Sequence, residues 1–304
     1  MRTIGKYING NYQVSIYDDG TKIRFCKDDS FAPAFAENID VKITNRCGGG
    51  CPFCHEGSTA YGAHGDIMNM TWVDSLHPYQ ELAIGGGNVF EHPDLIPFLE
   101  KLKEMKVIAN ITVRAEHFWK NTHLLGKMIA DGLVHGVGVS VSHPTVDELR
   151  QYAEVPNVVL HVINGIFDEK DLAAMMEAPG NRLLILGYKT VGRGNAFLRS
   201  EEKNVAKRQR FLKDHIKEML EGGDFRTISF DNLAIEQLGI RDLLTEDQWE
   251  TQYMGDEGTT TFYIDCVAGR FAESSVAPEG ERFPIMGSVD GMFDAVRRNK
   301  AERK

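Results

Sequence analysis

Ile39-Asp40-Val41-Lys42-Ile43-Thr44 runs directly into Asn45-Arg46-Cys47-Gly48-Gly49-Gly50-Cys51-Pro52-Phe53-Cys54. The first six residues alternate apolar and polar, the period of a half-buried strand. The segment after them holds three of the chain's five cysteines, spaced Cys-x3-Cys-x2-Cys. Three consecutive glycines let such a loop fold back until its thiolates converge. Three thiolates suit three irons of a [4Fe–4S] cube and leave the fourth iron without a protein ligand. Two other readings stay open. Cys51-Pro52-Phe53-Cys54-His55 fits the c-type haem pattern, although Met1 to Tyr7 does not read as an export signal. Zinc is the third candidate, but zinc sites usually draw on two separated ligand pairs, and no second Cys/His pair stands out.

The cysteine spacing, the aromatic Phe53 before the last cysteine and the preceding strand resemble the radical SAM superfamily. The resemblance implies that Cys47, Cys51 and Cys54 ligate the cluster, and that S-adenosylmethionine (SAM) chelates the open iron. It places the backbone of Phe53 near the adenine. A second stretch, Gly85-Gly86-Gly87-Asn88-Val89-Phe90-Glu91-His92-Pro93, resembles the family's Gly-Gly-Glu-Pro segment. Gly86 and Gly87 would then approach the methionine amine. Asn88 stands where the family has a glutamate, so a neutral acceptor replaces a charged one. A plain glycine turn is the other reading.

Two further stretches carry candidates. In Gly138-Val139-Ser140-Val141-Ser142-His143, side chains alternate, so Ser140 and Ser142 share a face and can reach SAM if that face is interior. Small residues packed inside a barrel would look the same. In Leu186-Gly187-Tyr188-Lys189-Thr190-Val191-Gly192-Arg193-Gly194, Lys189 and Arg193 among glycines suit an anion, or simply a solvated basic loop. Arg114, His117, His161, Asn164, Asp231 and Asn232 fall near strand ends as candidate cavity residues. His55, Glu56, His64 and Asp66 lie in the loop beyond the cysteines and are placed to cover it.

From residue 39 onward short apolar strands alternate with amphipathic helices. Strands are expected at 81–84, 107–113, 137–141, 158–163, 183–186 and 227–230, and helices at 93–105, after 124, after 168 and at 203–221. Asp168 is a helix cap by type. This rhythm predicts an α/β fold, a parallel partial (β/α)6 TIM-type barrel. Residues 1–37 form an N-terminal extension with a β-hairpin over 7–25, and residues 38–231 form the barrel. Residues 232–304 form a C-terminal extension with helix over 232–253, a hairpin at 260–274 and a helix at 291–298. That extension resembles those of auxiliary-cluster (SPASM-type) radical SAM enzymes but lacks their cysteines. Cys26 and Cys266 read as packed structural thiols.

The 304 residues are 42% hydrophobic and carry a formal charge of −10. That balance argues against non-specific nucleic-acid binding. No apolar run approaches the ~20 residues of a membrane span. Clustered cysteines in a chain of this size favour a reducing, cytoplasmic setting over a disulfide framework. The resemblance implies reductive cleavage of SAM to a 5′-deoxyadenosyl radical, fed by an external donor such as flavodoxin or ferredoxin. The expected substrate is a peptide, protein or small metabolite. Glycyl-radical activation and nucleobase modification are alternatives, and a non-catalytic metal-binding or redox-sensing protein is the alternative of another class.

Overall fold

The computed structural model describes residues 1–28 and 30–303. Its centre is a ten-stranded sheet, seven of whose strands are those the apolar runs predict. β4 (Asn38–Thr44), β5 (Glu81–Gly86), β6 (Ile108–Arg114), β7 (Gly136–Ser140), β8 (Val158–Ile163), β9 (Arg182–Leu186) and β10 (Thr227–Phe230) lie side by side in chain order. Each pairs in parallel with the next. The crossovers are α1 (Leu95–Glu104), α2 (Ala115–Lys120) with α3 (Thr122–Ala130), α4 (Val146–Glu154), α5 (Glu169–Glu177) and α6 (Arg193–Gly222). The protein is thus α/β with a mostly parallel central sheet.

Alternation along the strands separates two faces. Ile39, Val41 and Ile43 of β4, Leu82 and Ile84 of β5, Ile111 and Val113 of β6 and Leu160 and Val162 of β8 are fully or almost fully buried in one core. Full burial of such a side chain contributes about 1.5–3 kcal/mol. The residues between them, Asp40, Lys42, Ala83, Gly85, Thr112, Arg114 and His161, line a cavity instead. One strand period therefore serves stability on one face and chemistry on the other.

Several elements differ from the sequence expectation. The N-terminal hairpin has a third strand: β1 (Thr3–Asn9) pairs with β2 (Tyr12–Tyr17), which pairs with β3 (Lys22–Cys26), all antiparallel. Gly10 turns β1 into β2 at φ 59°, where an added Cβ would meet the Ala32 carbonyl oxygen at 1.8 Å. Helix α4 goes unread in the sequence although Thr145 and Glu148 form a complete capping box at its start. The 203–221 helix begins ten residues earlier, at Arg193, and bends at Glu201, whose backbone leaves helical geometry.

The C-terminal residues join the same sheet. After α7 (Asn232–Leu238) and α8 (Glu246–Gln252), β11 (Thr261–Asp265) pairs in parallel with β4. β12 (Arg270–Ala272) and β13 (Phe283–Pro284) continue antiparallel, and α9 (Val289–Glu302) packs Phe293 beside Phe262 of β11. No helix of the described residues is long and apolar enough to cross a membrane.

Glu37 ties the N-terminal sheet to the large one. It is 1% exposed and accepts from Tyr12 at 2.7 Å, from Arg24 at 2.7 Å and from Lys22 at 3.3 Å. Burial pushes its carboxyl up, but the Arg24 and Lys22 contacts outweigh burial and hold it below its ordinary 4.5. Removing one member of such a buried network costs about 3–5 kcal/mol. Glu37→Ala is therefore expected to lower stability by about that much in urea titrations. The stabilisation is present above pH about 4.5 and is lost as pH falls through the folded-state value. The variant should show a flatter acid limb, and an identical limb in both proteins would exclude this role.

Candidate functional site

A cavity of about 400 Å³ opens at the carboxyl ends of the parallel strands. That is the size range of small-molecule sites. Cys47, Cys51 and Cys54 all line it, with Phe53, Gly85, Gly86, Gly87, Ser140, Lys189 and Arg193. Residues from six separate stretches of the sequence analysis thus converge on one space, once Arg114 and His161 are included.

The cysteine loop is held by backbone on three sides. Cys47 N–H donates to the Thr59 carbonyl at 2.8 Å. Gly87 N–H donates to the Thr44 carbonyl and Asn88 N–H to the Arg46 carbonyl, each at 2.7 Å. Arg193 fastens the far side: its Nε donates to the Cys51 carbonyl at 2.9 Å, its Nη1 to the Ser58 carbonyl at 2.8 Å and its backbone N–H to the Cys54 carbonyl at 3.0 Å. This guanidinium is committed to carbonyls and leaves Lys189 as the cation of that loop facing the cavity. Lys189 donates to Ser275 at 3.0 Å.

Glycine is required where the loop meets its supports. A Cβ at Gly87 would lie 2.2 Å from the Arg46 carbonyl oxygen, and one at Gly192 would lie 2.2 Å from that of His55. Gly86 adopts φ 109°, and a Cβ there would lie 2.4 Å from the Thr44 carbonyl oxygen. Gly85 differs: the nearest atom to its Cβ would be Thr112 Cβ at 3.7 Å.

Asn88 and Ser142 fall outside the cavity lining. Asn88 is buried, its Nδ2 donates to Glu91 at 2.9 Å, and its Oδ1 has no partner. β7 ends at Ser140, and Ser142 lies past the strand end, exposed, so the two serines do not share a cavity face. Of the strand-end candidates, Arg114, His161 and Asp231 line the cavity, whereas His117, Asn164 and Asn232 do not. Asp231 caps α7 through Ala234 N–H at 2.7 Å and also accepts from Gly187 N–H at 2.8 Å. His64 bonds Thr44 at 2.8 Å, and Asp66 accepts from Met68 and Asn69 N–H groups. His55 and Glu56 do face the cavity.

Sequence reasoning missed Asp40, Glu257 and Tyr263 as cavity residues. Asp40 was legible as the polar position of an alternating strand. The other two depend on β11 docking beside β4, which no local signal announces. Burial raises the Asp40 and Glu257 carboxyls and lowers the His161 imidazole to about 4. Glu56 goes the other way: burial raises it, but hydrogen bonds from His55 and Lys42 bring it to about 2. Burial and the neighbouring thiols raise Cys51, and Arg114 opposes them.

Among the described residues, one trio of potential ligands lies within 4.8 Å of one another, His143, Asp168 and Asp171. Its outer face is an ion-pair network with Arg208, 3.5 Å from Asp168. Cys47, Cys51 and Cys54 form no such trio, so at least one pair of their sulfurs is farther apart than 4.8 Å. Zn–S bonds of about 2.3 Å in a tetrahedron place sulfurs about 3.8 Å apart. Holding one zinc ion would therefore require the cysteine loop to draw its sulfurs closer together. Cys26 is only half-buried, its Sγ facing the Asn11 and Ser30 carbonyls. Cys266 is buried against Gly65, and burial lifts its thiol to about 12.

The fold has known counterparts. Streptococcus suis SuiB bound to precursor peptide SuiA is similar at a TM-score of 0.54 and 12% identity, over 90% of this chain and 83% of that one. SuiB bound to S-adenosylmethionine is similar at a TM-score of 0.51 and 12% identity, over 88% and 80% of the two chains. At that identity the likeness is one of fold. No family model matches the chain, and no curated protein matches it.

Two measurements check this geometry. Gly87→Ala forces a carbonyl aside and should cost about 1–3 kcal/mol, whereas Gly85→Ala should leave the melting temperature near the parent's. Equal melting temperatures for the two variants would contradict the packing described. His161 should stay neutral from pH 8 to 5, with ring proton resonances titrating near pH 4. Because that folded value lies below the ordinary 6.5, stability should fall as pH drops from 6.5 towards 4. A midpoint near 6.5 would place the ring in solvent.

Proposed function

We propose that this protein is a radical SAM enzyme acting on a peptide or protein substrate. Cys47, Cys51 and Cys54 would hold one [4Fe–4S] cluster, with SAM in the cavity above them. The observation that carries the reading is the convergence of three thiols and the Gly85-Gly86-Gly87 turn on one cavity at the strand ends. The fold likeness to SAM-bound SuiB supports SAM as the ligand, and that to peptide-bound SuiB supports a peptide as the substrate. When bound, a reduced cluster supplies the electron that cleaves SAM to a hydrogen-abstracting radical.

The chain's own residues bind, orient and exclude water. Gly85, Gly86 and Gly87 line the cavity where the methionine amine would lie, with Gly86 and Gly87 held tight against the Thr44 and Arg46 carbonyls. Ser140 faces the cavity as a hydroxyl for the ligand's polar groups, and Phe53 supplies an apolar wall, edge-on to Phe197 at 5.7 Å. Asp40, Glu257 and Lys189 line the remaining space, where a substrate would seat. His161, neutral and packed over Gly138, shapes the floor without adding charge. We read the parallel sheet as the partial (β/α)6 barrel of residues 38–231, flanked by extensions 1–37 and 232–304. Flavodoxin or ferredoxin is the expected class of electron donor, in a cytoplasmic setting.

Anaerobic reconstitution followed by reduction with dithionite and addition of SAM tests the reading. Iron and sulfide should each reach about four per chain, and 5′-deoxyadenosine should accumulate. The Cys47/Cys51/Cys54 triple alanine variant should lose both signals, while a Cys26/Cys266 double alanine variant keeps them. Iron without 5′-deoxyadenosine would favour a redox-sensing protein, and a full cluster in the triple variant would sink the assignment.

A further inference from the structure

We propose that Arg114 is the cation that offsets the negative charge of the three-thiolate loop, and thereby sets the reduction potential of the cluster bound there. The inference rests on the cluster assignment above.

Arg114 is the last residue of β6, on the cavity face with Thr112. Its Nη1 is buried and has no hydrogen-bond partner. Its nearest carboxylate, Glu116, stands 3.6 Å away, beyond hydrogen-bond reach, with a side chain 58% exposed. The Arg114 side chain is itself 30% exposed, and an ion pair this open contributes little. The guanidinium instead lies against the cysteine loop. A Cβ at Gly49 would sit 1.8 Å from the same Nη1 and 2.9 Å from Cζ. Gly49 is midway between Cys47 and Cys51, so absence of a side chain there is what admits the arginine.

The other cations of the cavity are engaged. Lys42 pairs with Glu56 at 2.8 Å and with Asp265 at 3.2 Å. Arg193 is spent on the Cys51 and Ser58 carbonyls, and Lys189 on Ser275. Arg114 alone among these four has a buried donor without a partner, and it faces the loop that gathers three thiolates. A buried donor without a hydrogen-bond partner, on a half-buried cation, is placed to serve an anion gathered at that loop. A thiolate-ligated cluster gains negative charge on reduction, and nearby cations and donors raise its potential. Arg114 is thus a positioning residue: it acts through the cluster rather than on substrate.

The test compares Arg114→Gln and Arg114→Lys with the parent after anaerobic reconstitution. Iron and sulfide content, the midpoint potential by spectroelectrochemistry and SAM affinity by equilibrium dialysis are read on each. The glutamine variant should keep its iron and show a more negative midpoint. Lysine should restore most of the shift, and SAM affinity should stay within about twofold of the parent, well under the tenfold of one charge-assisted contact. If glutamine loses the cluster while lysine keeps it at the parent potential, the charge role stands. Loss of iron in both variants, or one common midpoint in all three proteins, overturns it. An unchanged midpoint with SAM binding weakened by about tenfold or more also overturns it, and assigns the guanidinium to the SAM carboxylate. Failure of the cluster reading itself looks different, because the parent would then take up no iron.

Discussion

Two backbone hydrogen bonds hold the site together. Gly87 N–H reaches the Thr44 carbonyl and Asn88 N–H the Arg46 carbonyl, both at 2.7 Å. They weld the end of β5 to the chain leaving β4, where the cysteine loop begins. The weld is tight enough that neither Gly86 nor Gly87 has room for a Cβ. Glycine therefore serves close backbone approach more than flexibility. The loop inherits the rigidity of two adjacent parallel strands, and Arg193 closes it from the opposite side through three donations to its carbonyls. Thiols presented in this way are pre-organised before any metal arrives, which reduces the ordering cost of binding.

What could be read in the sequence follows from how local its cause was. The seven parallel strands β4 to β10 were legible because each is a short apolar run with an unambiguous period. Cys47, Cys51, Cys54 and the glycine turn were legible because ligand spacing and φ freedom are properties of consecutive residues. Arg193 shows the limit. Its type and place beside glycines suggested an anion, yet its donors go to Cys51 and Ser58, 142 and 135 residues away in sequence. Ser142 failed for a simpler reason, since alternation holds only while the strand lasts and β7 stops at Ser140. β1 escaped notice because Thr3 to Asn9 carries Gly5 and Asn9 at its buried positions, where a strand pattern needs apolar residues. Its pairing is supplied by β2.

The least legible part was the C-terminal third of the site. β11 docks in parallel on β4, so Asp40 sits level with Tyr263, and Lys42 level with Asp265. Parallel pairing between strands more than two hundred residues apart leaves no short-range trace. It nonetheless decides the electrostatics of the cavity. Burial disfavours the Lys42 ammonium, but Glu56 and Asp265 more than restore it. Tyr263 adds a hydroxyl at 3.3 Å from Glu56, and His55 a ring nitrogen at 3.2 Å. The loop beyond Cys54 is thereby clamped to β4 and β11 together.

That clamp separates the cavity's charges into two classes. Around the cysteine loop Lys42 pairs with Glu56 and Asp265 and Arg193 bonds carbonyls, whereas among the described residues Arg114 keeps a buried donor without a hydrogen bond and has only the exposed Glu116 at 3.6 Å. Deeper along β4, Asp40 and Glu257 have no ion-pair partner among the described residues, and burial raises both carboxyls towards neutrality, as it lowers His161. In a low-dielectric space an unpaired charge is costly, and protonation changes relieve it. Lys189 lines the same space and opposes that rise in both carboxyls, while at the thiols Arg114, together with Arg193 on its uncharged carbonyl partners, contributes positive charge. Interactions at these effective dielectric constants are several-fold stronger than in water. A field of that sign favours added negative charge at the three sulfurs, the place where the proposed chemistry begins with the arrival of an electron.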